Sequence, residues 1–229
     1  MRTSWNKKKA LTSLELIWKP MYRLLYPITK LLYTHTSIVP NNISCLNFFI
    51  GLIAIFFMGI SGHFSGLFGL SEYTLRLLGA ILAFCYICLD SMDGQLARGG
   101  NLSSESGSWL DSTMDSIMVP FFMLSLAIGM NNYFALLAGG IAALCFPIQL
   151  LIQYQFKLKF QDKLKKSLLG TKSPVKYIYG TAIFFCFNLF FAIINKPLYT
   201  LLFFAIFGSL FWIGIIFLQY KCFKKKDIK

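Results

Sequence analysis

Residues 75–130 read LRLLGAILAFCYICLDSMDGQLARGGNLSSESGSWLDSTMDSIMVPFFMLSLAIGM. Two apolar runs flank a short polar connection, and four aspartates, Asp90, Asp93, Asp111 and Asp115, gather where the runs meet it. A helix needs about 20 apolar residues to cross the hydrocarbon of a bilayer. Carboxylates at the edge of such a run are expensive and call for a purpose. The spacing predicts a second span ending around Asp90–Gly94 and a third beginning around Trp109. The short connection makes these two helices antiparallel neighbours.

The rest of the chain fits that reading. Of 229 residues, 56% are hydrophobic and only 14% charged, with a mean hydropathy of +0.62. That is too apolar for a soluble domain of this size, and the apolar residues come in runs. Six runs are long enough or nearly so: 43–61, 75–92, 109–130, 133–155, 177–195 and 198–219. The expectation is an all-α integral membrane protein. It comprises an N-terminal segment (1–42), a six-helix transmembrane catalytic domain (43–219) and a basic tail (220–229). No cleavable signal peptide is expected, because the first 42 residues are polar, basic and amphipathic.

The net charge is +13. Lys and Arg lie between or outside the apolar runs, which favours anionic lipid over nucleic acid as their partner. They cluster in the N-terminal segment (Arg2, Lys7, Lys8, Lys9, Lys19, Arg23, Lys30), in the connection from Lys157 to Lys172, and in the tail (Lys221 to Lys229). Six spans put all three clusters on one side, the cytoplasmic one, together with both termini and the Asp93–Trp109 loop. The opposite loops hold little beyond His63, Glu72, Arg76 and Lys196.

Within residues 12–35, Trp18, Met21, Tyr22, Leu24, Leu25, Ile28, Leu31 and Leu32 recur at helical spacing among basic residues. This predicts an amphipathic helix lying on the membrane surface, interrupted or kinked at Pro20 and Pro27. An ordinary helix packed on the protein is the alternative. The six cysteines show no disulfide framework. Cys85 and Cys88 lack a second metal-binding pair and are read as packing residues. His35 and His63 are read as interfacial or loop residues. Trp109 and Tyr220 are expected in the aromatic belt.

Asp90 and Asp93 are three residues apart and Asp111 and Asp115 four apart, so each pair shares one helical face. Four converging carboxylates repel strongly unless cations sit among them. Oxygen ligands of this kind suit Mg²⁺, or Mn²⁺ in its place. Two such ions about 3.5–4 Å apart can bridge a phosphoryl group. Gly94, Ala97 and Gly107 leave room for a ligand near the backbone, and Arg98 offers a fork-shaped cation for phosphate.

The pattern Asp90-x2-Asp93-Gly94-x2-Ala97-Arg98-x8-Gly107-x3-Asp111-x3-Asp115 resembles the signature of the CDP-alcohol phosphotransferase (CDP-alcohol phosphatidyltransferase) family, with all eight positions filled. The resemblance implies six spans behind an interfacial helix and a homodimer. It implies transfer of a phosphatidyl-type group from a CDP-linked lipid such as CDP-diacylglycerol to a small alcohol, with release of CMP. By position, Asp90, Asp93, Asp111 and Asp115 would hold two divalent metal ions, and Asp115 would also be the general base. Gly94, Ala97, Arg98, Ser104 and Gly107 would line the CDP site. The segment Pro40-Asn41-Asn42-Ile43-Ser44 resembles the family's Pro-Asn-x-Ile-Thr opening, which adds Asn41 and Ser44 as nucleotide contacts. As a plain helix start, Ser44 or Asn42 would instead be an N-cap.

Two other readings of the residues stay open: a polytopic transporter with an acidic ion site, and a membrane prenyltransferase acting on an isoprenyl diphosphate. The acceptor is not fixed by the motif. Lys157 to Lys172 and Lys176 suit membrane topology and anionic lipid, or alternatively an anionic alcohol such as glycerol 3-phosphate or inositol phosphate.

Overall fold

The computed structural model describes residues 5–11, 19–64, 66, 69–160 and 181–227, and no strand occurs among them. The helices are α1 (Lys7–Ala10), α2 (Lys19–His35), α3 (Pro40–Ile60), α4 (Glu72–Gly99), α5 (Glu105–Gly129), α6 (Tyr133–Phe160), α7 (Thr181–Ile193) and α8 (Leu198–Asp227).

Five of them, α3, α4, α5, α6 and α8, are long and apolar enough to cross a membrane. Their outward faces carry large apolar side chains, among them Phe49, Phe56, Phe121, Leu144 and Phe217, each about half exposed or more. A surface of that kind belongs in lipid. The sixth expected span corresponds to α7, whose 13 described residues are apolar but shorter than a crossing. Residues 177–180 of that expected span lie outside the described residues, as do Arg2, Trp18, Lys163, Lys165, Lys166, Lys172, Lys176 and Lys229.

Three of the connections end a helix in the same way. Asn101, Asn131 and Asn195 each take a left-handed backbone, with φ of 54°, 46° and 54°. Asn tolerates this conformation better than other non-glycine residues. After α4, the Leu102 N–H returns to the Ala97 carbonyl at 2.8 Å. After α7, the Lys196 N–H returns to Phe191 at 2.7 Å.

The centre is built by α3, which packs against both α4 and α5, while the backbones of α4 and α5 approach each other little. The expected side-by-side pairing of those two helices is therefore largely replaced by packing through α3. Small residues make this possible. A Cβ on Gly51 would overlap Met118 of α5 and lie 2.9 Å from Tyr86 of α4. A Cβ on Gly129 would overlap the Met58 carbonyl and come within 2.6 Å of the Ser61 hydroxyl. Hydrocarbon offers no hydrophobic drive between helices, so such close backbone approach supplies the packing that holds them. Tyr86, Phe122 and Phe185 interlock below the acidic layer, with ring centroids 5.0–5.5 Å apart. At the far end, Arg76 pairs with Glu72 and reaches the Gly129 carbonyl at 3.4 Å. His63 Nε2 lies 3.0 Å from the Ile128 carbonyl.

On α2, three faces separate by helical spacing. Leu25, Thr29 and Tyr33 are buried against the protein. Leu24, Ile28 and Leu31 are 50–66% exposed on a second face, and Lys19, Arg23 and Lys30 share a third. The helix continues through Pro27 and does not break. Pro27 and Arg23 are both exposed, so the Arg23 carbonyl that loses its partner faces outward. Pro20 sits in the first turn, where a missing N–H costs nothing.

A strap at the N-terminus pins the end of α4. Trp5 covers Gly99, where a Cβ would lie 2.6 Å from the indole. It packs 4.9 Å from the Tyr33 ring and donates from Nε1 to the Tyr26 hydroxyl at 3.1 Å. The Asn6 N–H bonds the Gly99 carbonyl at 2.8 Å, and Lys9 Nζ bonds Asn101 Oδ1 at 2.8 Å.

Gly51→Leu is expected to cost about 1–3 kcal/mol or more by overpacking the α3–α4–α5 junction. It should appear as a lower midpoint in thermal unfolding of the detergent-solubilised protein, whereas Gly140→Leu, with open space at its Cβ position, should not.

Candidate active site

The aspartates sit deeper in their helices than the sequence suggested. α4 does not stop at Asp90–Gly94 but runs to Gly99, because Gln95, Leu96, Ala97 and Arg98 are all good helix formers. α5 begins at Glu105, ahead of Trp109. Asp90, Asp93, Asp111 and Asp115 are therefore held on regular helix on both sides, which fixes their directions better than a frayed end would.

Oxygens of Asp90, Asp93 and Asp111 lie within 4.8 Å of one another. Asp93 is buried, Asp90 half-buried and Asp111 exposed. Three carboxylates at that separation carry an all-oxygen donor set, which fits a hard divalent cation. Asp115 stands apart from this triad. The Tyr86 hydroxyl donates to Asp115 Oδ1 at 3.3 Å from inside the aromatic cluster. Asp93 is steadied from α3, where the Ser44 hydroxyl donates to its Oδ2 at 2.8 Å.

That bond corrects the N-cap reading of Ser44 and Asn42. α3 starts at Pro40, with Val39 as an N-cap that makes no side-chain bond. Pro40 supplies the pre-set φ of a first helical residue, so Ser44 lies one turn inside and is free to face α4. Ser104 is the N-cap of α5, its Oγ accepting from the Gly107 N–H at 3.0 Å.

Beside the triad opens a cavity of about 210 Å³. It gathers Asn41, Ser44, Asp93, Gly94, Ala97, Arg98, Ser104, Gly107 and Asp111, with Pro40, Leu102, Ser103 and Ser108 completing the wall. Asp90 and Asp115 do not line it. Gly94 matters because Arg98, one turn on, folds back over it. A Cβ there would stand 3.1 Å from both Nη1 and Nη2. Arg98 is also gripped from α2: Nη2 donates to the Tyr22 hydroxyl at 3.1 Å, and the guanidinium stacks 5.7 Å from the Tyr22 ring centre. Gln95 Nε2 fixes that turn of α2 by donating to the Tyr22 carbonyl at 2.7 Å. Arg98 Nε is buried without a partner. Arg98 lines the cavity, and a guanidinium held in one orientation there is suited to an anion.

Sequence reasoning missed Tyr22 and Tyr86. Tyr22 read as one more residue of an amphipathic stripe, and Tyr86 as one more residue of an apolar run. Only their hydroxyls, which end on Arg98 and Asp115, mark them out. Ser103 and Ser108 flank motif residues and carried no spacing signal of their own.

Helices long and apolar enough to cross a membrane thus surround an acidic cluster that could hold a divalent cation and an adjoining cavity lined by Arg98. Residues 37–220 match the CDP-alcohol phosphatidyltransferase family, and the chain belongs to it. It is a family of CDP-alcohol phosphatidyltransferases, which move a phosphatidyl group from a CDP-alcohol to an alcohol and use divalent metal. The match sets this reading above the transporter and prenyltransferase alternatives. The chain is also similar to an uncharacterized protein of Aquifex aeolicus (strain VF5), 48% identical over 67 residues. That alignment covers 26% of this chain and 34% of the relative.

Arg98→Lys is expected to weaken CDP binding about tenfold or more. Lysine offers neither the planar fork nor the stacking on Tyr22. Tyr22→Phe, which removes one hydrogen bond, should weaken it only a few-fold. Equilibrium binding of radiolabelled CDP in Mg²⁺ checks both.

Proposed function

We propose that this chain transfers a phosphatidyl-type group from CDP-diacylglycerol, or a closely related CDP-linked lipid, to the hydroxyl of a small alcohol and releases CMP. The observation that carries the reading is the junction of the carboxylate triad with a cavity lined by Arg98, whose guanidinium is held by Tyr22.

In this reading Asp90, Asp93 and Asp111 hold divalent metal, two Mg²⁺ (or Mn²⁺) ions when Asp115 also contributes. Bound there, metal neutralises the carboxylates and the diphosphate and polarises the phosphoryl oxygens. The remaining work falls to the chain's own groups. Ser44 keeps Asp93 in one orientation. Arg98 grips the diphosphate, with Gly94 leaving space for it. Asn41, Ala97, Ser104 and Gly107 bound the nucleotide. Asp115 takes the proton of the acceptor hydroxyl, and the freed oxygen attacks the phosphorus nearest the lipid. The new P–O bond forms as the bridging P–O bond breaks, and CMP departs with that electron pair. Tyr86 orients Asp115 for this task through its hydroxyl.

In this reading the active-site end and both termini face the cytoplasm, which the distribution of Lys and Arg along the sequence supports. There the lipid substrate arrives from the bilayer and the alcohol from water. In that arrangement α2 lies in the interface, with Leu24, Ile28 and Leu31 in the acyl region and Lys19, Arg23 and Lys30 among headgroups.

The test is CMP release by purified protein with CDP-diacylglycerol, Mg²⁺ and a panel of alcohols. Release with one alcohol, abolished by EDTA and restored by Mg²⁺, is the expected result. Absence of CDP binding would overturn the reading. Asp115→Asn should lose turnover by about a thousandfold or more while retaining CDP-lipid binding, in line with removal of a general base plus its electrostatics. Asp90→Asn and Asp111→Asn should also lose Mg²⁺-dependent binding. Near-wild-type turnover in Asp115→Asn would remove it from the base role.

A further inference from the structure

The last turn of α4 carries Arg98 and is weak as a helix. Gly99 and Gly100 follow the arginine, and glycine is among the poorest helix formers. The final carbonyls of any helix also lack partners within it. Arg98 is therefore mounted where a helix frays, yet an anion site needs its guanidinium in one orientation.

The N-terminal strap supplies what this turn lacks. The Asn6 N–H meets the Gly99 carbonyl at 2.8 Å, which gives an end carbonyl a donor from outside the helix. The Trp5 indole occupies the space a side chain at 99 would take. A Cβ there would stand 2.6–2.8 Å from Cη2, Cζ2 and Cζ3 of the ring. Glycine at 99 weakens the helix and admits the indole. Lys9 Nζ extends the attachment to Asn101 at 2.8 Å.

The same indole grips α2. Its Nε1 donates to the Tyr26 hydroxyl at 3.1 Å, and its ring lies 4.9 Å from that of Tyr33. Tyr26 is four residues beyond Tyr22 and Tyr33 seven further on, so the three share one face of α2. Tyr22 holds Arg98 at one end of that face, and Trp5 holds the other two tyrosines. Because Arg98 and Gly99 are adjacent in α4, Trp5 closes a ring of contacts. It runs from Arg98 to Tyr22, along α2 to Tyr26 and Tyr33, across the indole to Gly99, and back to Arg98. Without the indole the ring opens, and a long flexible side chain regains rotamers that do not face the diphosphate. Trp5 itself does not line the cavity.

We infer that Trp5 is a positioning residue for the nucleotide site, acting through Gly99 and α2 to hold Arg98 in its binding orientation. This deepens the transferase reading and rests on its assignment of Arg98 to the diphosphate.

The test is equilibrium binding of radiolabelled CDP in Mg²⁺ by the full chain in lipid nanodiscs. Trp5→Ala is expected to weaken CDP binding about fivefold or more through the freedom returned to Arg98. Trp5→Phe, which keeps a ring without the donor, should recover part of that loss. In an Arg98→Lys background Trp5→Ala should cost less than about twofold more, since no guanidinium remains to be positioned. Gly99→Ala separates the strap from helix strength. Alanine is the better helix former, yet its Cβ would displace the indole, so CDP binding should weaken as in Trp5→Ala. Wild-type CDP affinity in folded Trp5→Ala, or an equal loss with and without Arg98→Lys, would overturn the inference and make Trp5 a packing residue. Unchanged or tighter binding by Gly99→Ala would overturn it as well, and this variant decides the matter if Trp5→Ala does not fold. A wild-type chain that binds no CDP would sink the transferase reading itself, and this inference with it.

Discussion

Four carboxylates held in one layer push each other apart, and the architecture exists to keep them there. In the low-dielectric interior of a helix bundle that repulsion is several times what it would be in water. The restraint comes from α3. Its backbone comes close to α4 at Gly79 and to α5 at Gly129, and Gly51 leaves room for the side chains of Tyr86 and Met118. It thereby ties together two helices whose backbones stay apart and which meet through side chains such as Tyr86, Phe122 and the aspartates. The gap left between α4 and α5 is where the acidic layer and its cavity lie. Packing α4 directly on α5 would have closed the site; packing both on α3 leaves it open while fixing its walls.

Around that layer, hydrogen bonds between helices orient the site residues: Ser44 holds Asp93, Tyr86 holds Asp115, Tyr22 holds Arg98, and Gln95 donates to the Tyr22 carbonyl. A site preorganised in this way sacrifices some stability for it. The strap of Trp5 and Asn6 adds a brace on the outside, locking the last turn of α4 against α2 so that Arg98 and Tyr22 stay in register.

Much of this was legible in the chain, for identifiable reasons. The spans follow from length and apolarity. The convergence of the aspartates follows from three- and four-residue spacings on helices joined by a short connection. The anion character of the mouth follows from Arg98 and its small neighbours. Local rules failed where tertiary contacts outweighed them. Reading a helix end at Asp90–Gly94 stopped α4 too early, because Gln95–Arg98 favour helix and α1, α2 and α3 pack on α4 as well. Ser44 looked like an N-cap because its residue type favours that role. With Pro40 starting the helix earlier, the same hydroxyl serves Asp93. Pro27 was expected to interrupt or kink α2, but its lost hydrogen bond falls on the outward face and the helix runs on through it.

What the amino-acid order determined by itself was the membrane character, the acidic motif and, with it, the family. These depend on composition and on spacings within single helices, which a linear chain displays. Which carboxylates form a triad and which stands apart was decided only in the folded structure. So were the tyrosines that steady Arg98 and Asp115. Those properties are set by distances between helices, and a sequence carries no such distances until side-chain volumes and close backbone contacts bring α3, α4 and α5 into one register.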